Sequence, residues 1–140
     1  MDLLADRESI ITALQGGVTA AKSVEPFAGD ITELLRDTAK KPSLHVLYAG
    51  GNYGKQRIMG GASISAPTRK VWTILIAASG RRSNADTSTD VLALIAAIGE
   101  ALTGLKLDTS RRLWPLQDEH LLGKNGVLIH GYDFEVEKEV

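Results

Sequence analysis

The stretch VWTILIAAS at residues 71–79 has no polar face. Two apolar sets alternate along it: Trp72, Ile74, Ile76 and Ala78 at even positions, and Val71, Thr73, Leu75 and Ala77 at odd positions. Successive side chains of a strand point to opposite faces, so this composition indicates a strand that is covered on both sides. We therefore expect residues 71–79 to form the central strand of a sheet.

The segment that follows this strand predicts a helix that is apolar almost all round. Residues 91–99 read VLALIAAIG and contain no polar side chain. We expect the helix over 89–103, with Thr87 and Asp90 as a capping box and Gly104 as its end. A helix without a polar face must be covered on more than its sheet-facing side. In one chain of 140 residues that cover is hard to provide, which indicates a subunit of an assembly.

Length and composition limit the possible classes of protein. The chain has 140 residues, which suits one domain over 1–140, and its formal net charge is −1, which gives no global attraction to nucleic acid or membrane. There is no cysteine, so disulfides and thiolate metal sites are excluded. The first seven residues lack the pattern of a signal peptide, and the apolar run 91–99 is shorter than the ~20 residues of a membrane span.

The residues before the central strand predict further helices and strands. We expect a helix over 6–15 with Asp6 as N-cap and Gly16-Gly17 as its end, and a short or edge strand within 18–27, because Pro26 disfavours a central strand. The remaining expectations are a helix over 31–39, strands over 44–49 and 57–65, a glycine-rich loop over 50–55 and a turn at 66–68.

The residues after the central strand predict an exposed loop, a helix and a hairpin. The loop is expected over 80–88, and a proline-interrupted edge segment over 113–116. Segments 119–122 and 127–136 flank Asn125-Gly126, a strong hairpin signal, and Asp133 and Glu135 give the last strand one wet face. This order of elements predicts an α+β fold: a mostly antiparallel sheet of four to six strands with two or three helices packed on it.

Candidate catalytic and binding motifs are weak. The stretch 49–56, AGGNYGKQ, follows a strand as a phosphate-binding loop does, but it lacks the first glycine and the hydroxyl after its lysine, and a strand is expected to follow it. We interpret it as a glycine-rich strand connection. The histidines His45, His120 and His130 have no zinc-site spacing, and the first and last lie in apolar strands, where a hydrogen-bonded core or interface histidine is the usual case. We therefore expect no catalytic, cofactor or metal residues.

Charged groups on this chain admit two interpretations. Asp133, Glu135 and Glu137 alternate on one strand face, which suits a solvated surface better than acid–base catalysis. Arg69-Lys70 and Arg81-Arg82 can meet phosphate, or they can pair with acidic residues of a neighbouring subunit or face solvent. We favour contact with a neighbouring subunit or with solvent, because few aromatic residues accompany these basic side chains.

Several phrases in this order resemble one known group of proteins. They are residues 23–29, 41–50 and 71–79, the helix end at 101–105, the segment 113–122, and Tyr132-Asp133-Phe134-Glu135. Together they resemble the small tail-completion or tail terminator proteins of Mu-like contractile-tailed phages and prophages, which are similar in architecture to the tail terminators of lambda-like phages.

The resemblance implies a non-enzymatic virion protein that forms a hexameric ring at the head-proximal end of the tail. Such a ring ends polymerisation of the tail tube or sheath and meets the head connector, with DNA passing through it without specific recognition. It implies no cofactor, and places the protein in the virion tail after assembly in the host cytoplasm. An adaptor of the neck or baseplate is the alternative.

Subunit and partner contacts are expected from the 50–57 loop, the 80–90 loop and the C-terminal strand. The candidate contact residues are Tyr53, Lys55, Arg57, Arg69, Arg81, Arg82, Asp86, Asp133 and Glu135.

Overall fold

A computed structural model of the chain describes residues 3–27, 29, 42–53, 67–79, 84–124 and 127–138. Its elements in chain order are α1 (Leu3–Gly17), β1 (Ser23–Pro26), β2 (Ser43–Tyr53), β3 (Pro67–Ser79), α2 (Asn84–Leu102), β4 (Arg111–Lys124) and β5 (Val127–Lys138). The predicted helix at 31–39 and strand at 57–65 lie outside the described residues. The predicted α+β class is confirmed.

The strands form one five-stranded sheet in the order β1-β2-β3-β5-β4. Strand β1 pairs with β2 in parallel, and the other three pairs are antiparallel. The predicted mostly antiparallel sheet is therefore confirmed, with β3 at its centre and β1 and β4 at its two edges. The short strand predicted within 18–27 is the edge strand β1.

Both faces of β3 are covered, as its sequence predicts. Trp72, Ile74 and Ile76 are buried in the main core, where α1 and α2 pack on the sheet. Leu75 and Ala77 are buried on the opposite face, in a smaller cluster with β5 side chains. The strand begins at Pro67, so the turn predicted at 66–68 is wrong for Pro67 and Thr68, which belong to the sheet.

Strand β2 is longer than its apolar pattern indicates. The loop predicted over 50–55 is wrong for residues 50–53, which continue the ladder with β3 as far as Tyr53. The pairing register shifts between Tyr48 and Gly50, where Gly50 has a φ of 123°. A glycine adopts this left-handed backbone without the steric cost of a Cβ atom, so the strand passes through an irregularity instead of ending.

Helix α1 extends beyond both predicted ends and buries Ile10, Ile11 and Leu14. The predicted end at residue 15 is two residues early, because Gly16 and Gly17 are both helical and the helix ends at Gly17. A Cβ atom placed on Gly17 would lie 2.8 Å from the Cβ of Ala101 in α2. The glycine therefore permits a close contact between the two helices.

Helix α2 begins at Asn84, so the predicted start at 89, the Thr87 cap and the loop over 84–88 are wrong. Four of the five residues 84–88 are polar and they carry no apolar periodicity, although the one acidic residue, Asp86, suits the positive end of the helix dipole. The predicted end is confirmed: the helix stops at Leu102, and Gly104 follows with a φ of 77°.

Strand β4 is one continuous edge strand of 14 residues, where the sequence predicts two separate segments. Pro115 lies within it, and the register with β5 shifts between Pro115 and Gln117 and again between His120 and Leu122. Bulges of this kind let an edge strand continue past a proline. The predicted hairpin is confirmed, since Lys124 pairs with Val127.

Candidate functional site

The two faces of α2 differ in their cover. Leu94 is 3% exposed and Ile98 is fully buried, both in the main core. On the outer side Leu92 is 64% exposed, and Ala93 and Ala96 are also exposed. The described residues therefore leave the outer side of the apolar segment 91–99 uncovered.

An open apolar groove runs beside the outer face of α2. Its volume is about 280 Å³, and it is lined by Ala20, Pro42, Asp90, Ala93, Leu94 and Ala97. The backbone N–H of Lys22 donates to the carbonyl of Pro42 at 2.8 Å, which ties the exposed Lys22 to the groove wall. The groove therefore combines small apolar walls with one acidic lining residue, Asp90.

The edge strand β4 exposes three large apolar side chains. Trp114 is 37% exposed, Leu116 is 38% exposed and Leu121 is 42% exposed. Leu116 and Leu121 fall where the register with β5 shifts, and the exposed carboxylates Asp118 and Glu119 lie between them in sequence. The alternation rule did not reveal these exposed side chains, because each bulge changes the face to which following side chains point.

The predicted contact residues separate into two groups. Tyr53 pairs with Pro67, Arg69 with Asn52, and Glu135 with Val71, so these three positions share the end of the sheet where β3 begins. Asp86 lies in the first turns of α2, which follows the other end of β3. Lys55, Arg57, Arg81 and Arg82 lie outside the described residues.

Asp133 occupies the middle of the sheet, on the face opposite the helices. It is half-buried, and its carboxylate accepts hydrogen bonds from Thr73 Oγ1 at 2.6 Å and Gln117 Nε2 at 3.1 Å. Glu135 is also half-buried and lies opposite Trp114. This face is therefore less solvated than the alternating carboxylates predict.

An ion cluster with one buried and one exposed carboxylate joins α1 to the start of β4. Arg111 donates two hydrogen bonds to the carboxylate of Asp6, at 2.8 and 3.0 Å, and its Nε contacts Asp108 at 2.6 Å. Asp6 is 2% exposed and lies inside α1, so its predicted role as N-cap is wrong. Its carboxylate instead accepts hydrogen bonds from Arg111. This paired arrangement links two elements that are 105 residues apart in the chain.

Lys70 lies near this cluster with its amine buried. Lys70 is 5% exposed, and its Nζ has no hydrogen-bond partner among the described residues. The prediction that Lys70 joins Arg69 as a solvent or interface group is therefore wrong. Burial, and secondly the positive charge of Arg111, lowers the pKa of the Lys70 amine.

Two other pKa values in the cluster are shifted. Hydrogen bonds from the Ser110 backbone N–H and from Arg111 lower the pKa of Asp108 to about 2. Hydrogen bonding to Asp6 raises the pKa of Arg111. Both shifts favour the charged forms, so Asp6, Arg111 and Asp108 form a set of ion pairs that joins α1 to the start of β4.

The remaining chemical candidates are placed in the fold as follows. Residues 49–53 of the glycine-rich stretch belong to β2, and residues 54–56 lie outside the described part of the chain. His45 is buried and bonds Ser43 Oγ at 2.8 Å, and His130 Nε2 lies 2.8 Å from Asp118, as expected of structural histidines. Among the described residues no cluster of acidic or histidine side chains could hold a metal ion, and no described helix could cross a membrane.

Comparison with known proteins gives one finding. A family model for the phage tail terminator protein matches residues 1–139. No curated protein matches the chain. The match covers nearly the whole length of the chain. The chain therefore belongs to the phage tail terminator family, with a structural role in a phage tail.

Proposed function

We propose that this chain forms a closed ring that ends growth of the tail tube or sheath and joins the tail to the head connector. Membership of the tail terminator family supports a position in the phage tail. The open outer face of α2 supports self-association, because contiguous exposed apolar surface marks interaction sites. The proposed role is binding and positioning, and it needs no catalytic step.

A ring follows from the kind of contact that such surfaces make. Two different patches on one chain form a head-to-tail contact, which closes into a ring when the rotation between copies permits it. A closed ring leaves no copy with an open apolar patch, and it presents different surfaces along its two axial directions. One can bind the last layer of the tail and the other the connector.

The predicted contact residues fit two partner-binding ends. We assign Tyr53, Arg69 and Glu135 to a surface at one end of the sheet, and Asp86 to a surface at the other. Which end meets the tail and which meets the head connector is decided by charge substitutions at these positions. The sequence neighbours Lys55, Arg57, Arg81 and Arg82 are assigned to the same two contacts.

Electron microscopy of particles made without this gene tests the proposal. Loss of a terminator leaves polymerisation unchecked, so tails of uncontrolled length are expected. Supplying the intact chain restores uniform tails, whereas the Leu92→Asp variant does not. Thr12→Asp is the control, because Thr12 is exposed on α1, away from the outer face of α2.

Tails of normal length that lack heads or fibres would contradict termination. That outcome would assign the chain to an adaptor of the neck or baseplate.

A further inference from the structure

A pocket lies between the start of α1 and the sheet, with a volume of about 260 Å³. Leu3, Leu4, Tyr48 and Trp72 contribute to its apolar wall, and Arg7 is the one charged residue among its described lining residues. The Nε of Arg7 and the Nε1 of Trp72 are buried and have no hydrogen-bond partner among the described residues. The pocket therefore combines apolar surface with a positive charge, and no described carboxylate lines it.

The outer face of α2 has the opposite charge. Leu92 is 64% exposed, as is Leu4, and these two are the most exposed large apolar side chains in the described part of the chain. Ala96 and Glu100 follow Leu92 at steps of four residues, so they lie on the same side of the helix, and both are exposed. No lysine or arginine occurs anywhere in α2. The outer face therefore offers a carboxylate beside apolar surface.

The position of Glu100 favours a partner that brings a cation. Glu100 lies in the last turn of α2, and this turn contains no basic residue. The negative end of the helix dipole destabilises a carboxylate at such a position and stabilises a cation there. A guanidinium from another molecule would offset both the carboxylate and the negative end of the helix.

We propose that the pocket at the start of α1 in one copy receives the outer face of α2 of the next copy. This inference rests on the proposed ring and names the contact between its neighbouring copies. Leu92 of the next copy packs on Leu3 and Leu4, and its Glu100 accepts hydrogen bonds from the guanidinium of Arg7. Ala96 lies between these two contacts, where a small side chain lets the helix approach closely. Apolar packing gives such an interface its core, and the charge pair fixes its orientation.

The two surfaces are separate patches of one molecule. Helix α1 approaches α2 at Gly17, where an added Cβ atom would lie 2.8 Å from the Cβ of Ala101. Arg7 precedes Gly17 by 17 − 7 = 10 residues, or about 15 Å along the helix axis. None of the described residues that line the pocket belongs to α2. A contact between two different patches is the head-to-tail kind, which can close into a ring.

Charge disfavours the two-fold alternatives. Packing the outer face of α2 on the same face of another copy would bring the Glu100 carboxylates into one interface, and neither helix has a cation to offset them. Packing one pocket on another would place Arg7 near Arg7. Like charges across an interface are repulsive, whereas the head-to-tail contact pairs opposite charges.

Cross-linking tests the contact directly, because the chain contains no cysteine. Full-length Leu3→Cys and Ala96→Cys variants are mixed at high protein concentration and treated with a short bismaleimide. We expect cross-linked dimers in the mixture and none with either variant alone. A chain that carries both substitutions should give a ladder that ends in one closed species.

A matched control uses another exposed leucine. Leu116 is 38% exposed, as is Leu3, but it lies on β4 at the other edge of the sheet from β1. Leu116→Cys mixed with Ala96→Cys should therefore give no product. Equal yields from the two mixtures would show random collision and overturn the assigned contact.

Charge exchange tests the assigned pair. Arg7→Glu in the Leu3→Cys chain should reduce the cross-linked dimer several-fold, and so should Glu100→Arg in the Ala96→Cys chain. Mixing the two reversed chains should restore the product. Glu100→Arg should also raise the melting temperature of the monomer, because a cation suits the last turn of α2. A weakened contact in a more stable chain cannot come from damage to the fold.

Two further substitutions control for a general effect of charge. Lys22 and Glu119 are exposed, and neither belongs to the pocket at the start of α1 or to α2. Lys22→Glu and Glu119→Arg should therefore leave the cross-linked yield unchanged. Losses as large as those from Arg7→Glu and Glu100→Arg would overturn the assigned charge pair.

The outcomes separate this contact from the ring itself. Cross-linking of Ala96→Cys alone would show a two-fold contact through α2 and overturn head-to-tail docking. Several copies per tail together with an unreactive mixture would keep the ring and overturn this interface. A single copy per tail together with an unreactive mixture would overturn both.

Discussion

Two leucines of α2, separated by one residue, have opposite environments. Leu94 points into the main core and is 3% exposed, whereas Leu92 points outward and is 64% exposed. Within the described part of the chain only the inner face of this helix packs in the core, so packing there does not explain the apolar outer face. The difference teaches that apolar composition alone does not tell which side chains hold this subunit together: one set does so, and another stays exposed, where we propose that a partner binds.

The largest loss of stability is expected from a charge at the centre of the buried face of α2. Ile98 is fully buried, so Ile98→Asp places a carboxylate in the core without a partner. The cost is about 5 kcal/mol or more, which is comparable with the whole stability of a small domain. Circular dichroism and gel filtration should show no folded protein. Ala96→Asp, on the exposed side of the helix, should fold as the wild type does; equal behaviour of the two variants would break the comparison.

The two leucines provide a matched test of the same point. Leu94→Ala should lower the free energy of unfolding by about 2–5 kcal/mol, because it leaves a cavity in the core. Leu92→Ala should change it by less than about 0.5 kcal/mol, as is usual for exposed positions. Urea denaturation at a concentration where the protein is monomeric measures both. A loss at Leu92 as large as that at Leu94 would mean that the outer face is covered within the monomer.

A buried charge on the covered side gives a prediction that depends on pH. The folded-state pKa of Lys70 lies below its ordinary value of 10.5, so between the two values the unfolded chain binds more protons and stability rises with pH. Lys70→Met removes an unpaired buried amine, and should raise stability at pH 7 by about 1–3 kcal/mol.

The advantage of Lys70→Met should shrink as the pH approaches 10.5. Thermal unfolding across pH 7 to 10 measures this trend, with exposed Lys22→Met as the control. A Lys70→Met protein that is less stable than the wild type at pH 7 would show that the amine has a partner in solution.

The smallest changes in stability are expected from alanine substitutions at two neighbouring glycines of α1. Gly17→Ala would bring its Cβ against Ala101, and should cost about 1–3 kcal/mol through overpacking. No atom lies within 4 Å of a Cβ on Gly16, so Gly16→Ala should stabilise the helix by about 0.5–1 kcal/mol. Thermal unfolding should give opposite signs. Equal signs would mean that α1 and α2 do not approach as closely as described.

Strong local patterns allowed much of the fold to be predicted. The central strand at 71–79, the apolar part of α2, the stop at Gly104 and the hairpin around Asn125-Gly126 each carry a signal within a few residues. The predictions failed where the decisive partner is distant. Asp6 has the form of a helix cap, but Arg111 takes its carboxylate from 105 residues away. Lys70 follows an arginine in sequence, yet tertiary packing buries it.

The candidate surfaces were only partly predictable. Sequence indicated that α2 has too much apolar surface for one chain, and the exposure of Leu92 agrees with that. The exposed apolar residues of β4 were not found, because Pro115 and two bulges hide a continuous strand from any regular alternation. The groove was not found because its wall combines Ala20, Pro42 and Ala93 from three separate parts of the chain. Such juxtapositions exist only after the sheet and helices have assembled.

The number of copies of this chain in each purified tail tests the central claim most directly. If sister copies cover the outer face of α2, quantitative mass measurement should find one fixed number greater than one in every tail, and six for the ring implied by the resemblance. Leu92→Asp chains should be missing from those tails. A single copy per tail, or a number that grows with tail length, would contradict the account.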